Sequence, residues 1–139
     1  MIRAARSFCS LLVIAAAACA SPVDQSEGGP DLLGRWSYSA TQAAPATQLS
    51  GTLTVVRQEG ASFDARLEVQ ERDAQGNLRN WSAVVSGRTV GTEVIDFDVY
   101  ENLLARRHVG RVRGDSIMGT WAQLDAAPRS GTFTSRRQP

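Results

Sequence analysis

Three copies of one short pattern constrain this chain most. Gly34-Arg35-Trp36, Gly119-Thr120-Trp121 and Gly131-Thr132-Phe133 each set a glycine two residues before a large aromatic. In an extended strand, residues i and i+2 share a face, so each glycine leaves bare backbone or a tight bend beside a ring. One copy opens the patterned region and two close it. The first and last strands are therefore predicted to meet, which turns a sheet into a barrel.

The rest of the patterned region supports a sheet. No segment after the first thirty residues keeps a 3.6-residue apolar period. Apolar residues alternate with polar ones instead, and Gly, Asn, Asp and Pro interrupt them at short intervals. The spacing predicts eight strands, at 34–40, 49–58, 62–72, 78–90, 93–100, 103–113, 116–124 and 130–136. The third is the clearest, with Phe63, Ala65, Leu67 and Val69 on one face and Asp64, Arg66, Glu68 and Gln70 on the other. The connections are short, the longest being a loop at 41–47 that contains Pro45. Parallel crossovers need a dozen or more residues, so each strand pairs with the one before it. The fold class is all-β, an antiparallel up-and-down meander of about eight strands. Closure removes its edges. Mid-strand glycines at 51, 87, 110 and 119 are expected where the sheet coils sharply.

The first eighteen residues read as an export signal. Arg3 and Arg6 precede an apolar run at 8–18 that is too short to span a bilayer. Two cleavage readings stand side by side. Ala18-Cys19-Ala20 suits general cleavage before Ser21, giving a soluble periplasmic or secreted chain. Ala16-Ala17-Ala18-Cys19 resembles a bacterial lipobox, which implies a lipid on Cys19 and attachment to the envelope membrane. Residues 19–31 are polar and rich in Pro and Gly, as a flexible tether would be. Ala20 after the cysteine is similar to lipoproteins sent to the outer membrane, facing the periplasm. The expected organisation is a signal at 1–18, a tether at 19–31 and one barrel domain at 32–137.

Removing the signal also removes Cys9, so no cysteine pair remains to oxidise in an exporting compartment. All fifteen basic residues are arginines, and two leave with the signal, which leaves thirteen against fourteen acids. A surface so nearly neutral argues against nucleic-acid binding. Nothing in the pattern sets an oligomeric state.

The Gly34-Arg35-Trp36 opening, followed by this meander, resembles the calycin group of lipocalins, avidins and fatty-acid-binding proteins. In lipocalins an arginine after the last strand packs across the tryptophan of the first, and Arg136 or Arg137 matches that position. The resemblance implies a barrel with a lumen that holds a small ligand. It supplies no ligand identity, because the lipocalin threonine-aspartate motif and disulfide cysteines are missing.

Candidate ligand-binding residues are the large inward ones: Trp36, Tyr38, Trp81, Phe97 and Trp121, with Arg106 and His108 near one barrel mouth. Apolar pockets favour aromatics, and a buried arginine needs a partner. That partner is either an anionic ligand or a carboxylate across the next hairpin, from Asp96, Asp98 or Glu101. Asp96, Asp98, Glu93 and Glu101 read as a solvated acidic face rather than a calcium site. One histidine and no mature thiol give no transition-metal set. Ser116 sits in a Gly-Asp-Ser-Ile run without a following histidine, so no catalytic residue is assigned and no enzyme is expected. No cofactor is expected. Two functions remain: a barrel that binds a small, largely apolar molecule, with an anionic end near Arg106 and His108, or a packed barrel acting as an envelope or protein-interaction module.

Overall fold

The computed structural model describes residues 29–123, 125 and 128–139. The signal, Cys19 and residues 19–28 of the tether lie outside the described residues. Eight strands follow in order: β1 (Gly34–Gln42), β2 (Thr47–Glu59), β3 (Ser62–Arg72), β4 (Leu78–Val90), β5 (Val94–Glu101), β6 (Leu104–Arg113), β7 (Ser116–Gln123) and β8 (Arg129–Arg137). Each pairs antiparallel with its predecessor, and β8 returns to β1, so the sheet is a closed barrel. At the seam Trp36 lies opposite Arg137, and Ala40 opposite Phe133.

The neighbouring β7–β8 pairing explains two of the glycine-aromatic repeats. Gly119 pairs with Phe133, and Trp121 pairs with Gly131. Each ring therefore lies over the other repeat's glycine. A methyl on Gly119 would sit 2.8 Å from the Phe133 ring, and one on Gly131 would sit 2.8 Å from Trp121 Nε1. Gly34 has a different task. Its φ of +110° lies where side chains are rarely tolerated, and it turns the entering chain into β1.

The expected loop at 41–47 is shorter than its composition suggested. β1 runs on to Gln42 because Thr41 and Gln42 still find partners on β8, opposite Thr132 and Gly131. Gln42 Nε2 and Thr47 Oγ1 then both donate to the Pro45 carbonyl, closing the turn at 43–46.

Inward side chains fill the barrel as alternation requires. The buried core draws on every strand, with Trp36, Leu53, Leu67, Val85, Phe97, Val112, Ile117 and Phe133 among its members. One register shift, between Val55 and Arg57 on β2, was not foreseen. A bulge adds a residue and so changes which side chain points inward. Here it brings Gln58, rather than Arg57, opposite the inward Phe63.

Gln58 then helps to close one end, called the lower end here. Residues 29–33 fold back over it. Gln58 Oε1 accepts from the Leu32 amide at 2.8 Å, and Gln58 Nε2 donates to the Pro30 carbonyl at 3.0 Å. Leu32 is fully buried as the plug, which contributes about 2 kcal/mol. Trp36 Nε1 donates to the Leu32 carbonyl at 2.9 Å. Of the two arginines that matched the lipocalin position, Arg137 is the one that covers Trp36, 4.5 Å from the ring centroid. It also donates to the carbonyls of Leu33 and Asp31 at 2.6 and 2.5 Å. The C-terminal strand thus holds the N-terminal plug in place. The opposite, upper end carries the turns at 43–46, 73–77 and 102–103 and the β7–β8 connection. Among the described residues no segment is hydrogen-bonded across it as 29–33 is at the lower end.

Candidate functional site

Strand alternation brings most of the candidate residues to two levels of the upper half. The lower level is a stack of rings. His108 lies flat on Phe97, with centroids 4.6 Å apart and planes 13° apart, and Phe133 meets it edge-on at 5.0 Å. Tyr38 OH hydrogen-bonds His108 Nε2 at 2.9 Å, and His108 Nδ1 lies 3.1 Å from the Arg106 carbonyl. The carbonyl can only accept, so Nδ1 carries the proton and Nε2 accepts from the tyrosine. Both ring nitrogens are engaged, and His108 has none left to serve Ser116 as a base.

Burial drives the pKa of His108 down to about 4, against a backbone hydrogen bond that favours the proton and with the Arg106 charge adding to the fall. Burial likewise pushes the Tyr38 phenol above its ordinary range, although the charge of Arg106 opposes it. Both groups are therefore neutral at physiological pH. A pH dependence follows. The unfolded chain protonates His108 near 6.5, whereas the folded protein waits until about 4. Between those values the unfolded state binds more protons, so stability falls as pH drops from about 6.5 to 4, by up to about 3 kcal/mol. Urea denaturation at pH 4.5 and 7 measures this, and His108→Gln should flatten the difference. An unchanged slope in that variant would place the titration elsewhere.

The upper level is ionic. Arg106 is buried, with its guanidinium 4.8 Å from the Trp81 ring and 5.9 Å from that of Trp121. Its Nη2 lies 3.1 Å from Glu101 Oε2, and its Nε donates to Gln123 Oε1 at 3.2 Å. Arg79 lies above them, half exposed and 5.8 Å from the Trp81 ring. Its two terminal nitrogens donate to Glu101 Oε1 at 2.5 Å and Glu71 Oε2 at 2.6 Å. Trp81 Nε1 also donates to Glu71 Oε2, at 3.0 Å. Burial raises the Glu71 carboxyl, but the hydrogen bonds from Arg79 and Trp81 outweigh it and hold the group below its usual range. The charges alternate in one chain, Arg106–Glu101–Arg79–Glu71, spanning four strands.

The carboxylate partner that alternation left open is therefore Glu101. It belongs to the inner face, not to a solvated acidic face. Asp96 does face outward, where Arg107 grips it at 2.7 and 3.0 Å. Glu93 pairs with Arg111 on the same outer side. Trp81, Arg106 and Trp121 meet at the upper level, while Tyr38, Phe97 and His108 form the floor beneath. Trp36 is at the other end, committed to the plug. Glu71, Arg79 and Gln123 complete the upper level and were not singled out from the sequence. The signal for Glu101 was present, since Ile95, Phe97 and Val99 set the inward phase that Glu101 continues.

Two buried polar atoms in this cluster stay unsatisfied. Arg106 Nη1 and Glu101 Oε2 have no hydrogen-bond partner among the described residues. Oε2 lies 3.1 Å from Arg106 Nη2, an ion-pair contact that is not a hydrogen bond. Leaving such a group unpaired costs about 1–3 kcal/mol each.

No family model and no curated protein sequence matches the chain. Solved structures do. The barrel is similar to a protein named EF1p2_mFAP2b bound to DFHBI, with a TM-score of 0.65 and 14% identity over 77% of this chain and 94% of that one. It is similar to a de novo designed fluorescence-activating β-barrel, with a TM-score of 0.59 and 19% identity over 76% of this chain and 93% of that one. It also resembles the S-type phycobiliprotein lyase CPES from Guillardia theta, with a TM-score of 0.52 and 8% identity over 78% of this chain and 89% of that one. At these identities the likeness is one of fold: an eight-stranded closed antiparallel barrel, consistent with the calycin group.

Proposed function

We propose that this chain is an exported barrel that binds a small molecule at its upper end. Trp81 and Trp121 flank the ligand, Arg106 orients it, and the Tyr38–His108–Phe97 level forms the floor. The observation that carries this reading is the pair of buried atoms without a hydrogen bond, Arg106 Nη1 and Glu101 Oε2, on a guanidinium that lies between the Trp81 and Trp121 rings and the carboxylate beside it. Convergent polar groups beside aromatic faces are what fixes a small molecule in a binding site. One barrel of similar fold, EF1p2_mFAP2b, was determined bound to DFHBI, which supports a small-molecule reading of this scaffold. Binding rather than catalysis suits a floor whose only histidine is neutral and fully bonded.

Native mass spectrometry of protein purified from its own cells tests this. A non-covalent small-molecule adduct is expected. Absence of an adduct, together with tryptophan fluorescence unmoved by a panel of small aromatic compounds, would leave the packed interaction module as the better reading.

The proposal includes a lipid on Cys19. The plug at 29–33 leaves the barrel at its lower end, so a tether running back to Cys19 would hold the upper end away from the membrane, open to the periplasm. A fatty-acid analogue fed to cells should label the wild-type chain and not Cys19→Ala. Equal labelling of the two would end the lipid reading without touching the ligand site.

A further inference from the structure

The chemistry of the upper end says more than that a ligand binds. Resting on the reading just given, its charges and its two unpaired atoms specify a class of ligand. Arg106 and Arg79 are each already matched by a carboxylate, Glu101 and Glu71. Entry of an anion would bring a third negative charge against buried Glu101, with no cation of the cluster left to balance it. Entry of a cation meets the converse difficulty at Arg106. Fully buried and without a hydrogen bond among the described residues are one donor atom of this pair, Arg106 Nη1, and one acceptor, Glu101 Oε2. The guanidinium fork is rigid and planar, so Nη1 is fixed beside the Nη2 that faces Oε2. A molecule that satisfies both carries an acceptor for Nη1 and a donor for Oε2, and a compact planar group can place the two side by side. A flat ring lying in the guanidinium plane would continue along the same indole faces that Arg106 already covers.

We infer that the upper end binds an uncharged planar ring with adjacent C=O and N–H groups, a cyclic amide, whose oxygen accepts from Arg106 Nη1 and whose N–H donates to Glu101 Oε2. The expectation of an anionic group at this arginine is thereby replaced. Both protein atoms are shut off from solvent, so the ring must enter beneath a side chain that moves. Arg79 is the half-exposed member of the cluster, held over Trp81 by Glu71 and Glu101 from its two neighbouring strands. Rotating it outward would break its contacts to Glu71 and Glu101 but no backbone hydrogen bond, and would open the approach to Trp81 and the Glu101–Arg106 pair.

Calorimetric titration of the purified protein with three bicyclic probes of nearly equal size tests this. Quinolin-2-one carries the amide, coumarin replaces its N–H with a ring oxygen, and 2-naphthoate carries a carboxylate. Quinolin-2-one should bind tightest, with coumarin about tenfold weaker or more because Glu101 Oε2 stays unpaired. Naphthoate should be weaker than quinolin-2-one by a similar factor. Glu101→Gln leaves the Arg106 charge unmatched and should reverse the order, with naphthoate above quinolin-2-one. If naphthoate binds tightest to the wild type, the upper end is an anion site: the cyclic-amide inference fails and the binding reading stands. Equal affinities would reduce the site to stacking alone and overturn the inference. If no probe binds, the inference again fails, and the native-mass result then decides the binding reading separately. The wild-type series decides the matter even if Glu101→Gln does not fold.

Discussion

Gly131→Ala is expected to cost more than about 4 kcal/mol and to leave little folded protein, since a domain has only about 5–15 kcal/mol in total. The added methyl would run into the Thr41 carbonyl of the neighbouring strand and lie 2.8 Å from Trp121 Nε1. The first obstacle is backbone across the β8–β1 seam, so no side-chain rotation relieves it, and the ladder that closes the barrel must part. Overpacking that forces backbone to move exceeds the usual cost of an added methylene. Gly119→Ala meets a similar wall in the Val109 carbonyl and the Gly110 backbone, with Phe133 at 2.8 Å. Gly60→Ala is the control. Its φ of +57° makes alanine strained, but nothing lies within 4 Å, so the loss should stay near about 1 kcal/mol. Gly87→Ala separates the two causes. Its neighbours are side chains, Phe97 and the Phe63 ring at 2.5 Å, and shortening the ring with Phe63→Leu should restore part of the stability. Urea denaturation followed by tryptophan emission measures all four. A Gly131→Ala protein within about 1 kcal/mol of wild type would mean that the seam is not closed as described.

The barrel was legible because two local signals agreed. Alternation placed the inward face of β3, β5 and β6 correctly, and the repeated glycine-aromatic pattern marked the strands that meet. The bulge on β2 was not legible. Val55-Val56-Arg57-Gln58 contains no glycine or proline to mark it, and only the need for Gln58 to reach the plug accounts for it. The site was half legible for a related reason. Inward phase identified Trp81, Arg106 and Trp121 one strand at a time. Which carboxylate Arg106 meets depends on register between strands, and composition does not carry register. Glu101 was grouped with Asp96 and Asp98 because it is acidic and close in sequence, although its own phase places it among Phe97 and Val99. Trp36 went astray the other way. It is inward like the others, but closeness to the plug decides its role.

The same inter-strand dependence makes the Glu101–Arg106 pair the most informative double substitution. Both side chains are buried, at 5% and 8% exposure, and breaking a buried pair by removing one member typically costs about 3–5 kcal/mol. Glu101→Leu leaves Arg106 charged between two indoles, with Gln123 as its one side-chain hydrogen-bond partner among the described residues, so it should fall at the upper end of that range. Arg106→Met should cost less, about 3 kcal/mol, because Arg79 still holds Glu101 Oε1 at 2.5 Å. Met also keeps a long side chain against Trp81. Combining the two substitutions removes both charges and should recover most of the summed single losses, because apolar replacement of a whole buried pair is close to neutral. The double variant leaves Arg79 with Glu71 and an apolar upper end, and it lacks both atoms to which the ligand is assigned. It should therefore approach wild-type stability and lose the adduct expected in native mass spectrometry. That combination separates the two roles of the pair, because a purely structural ion pair would return stability without affecting what the barrel holds. Additive losses with no recovery would show that Glu101 and Arg106 do not act on each other, and the charge chain through Arg79 would then not be the device that closes this end.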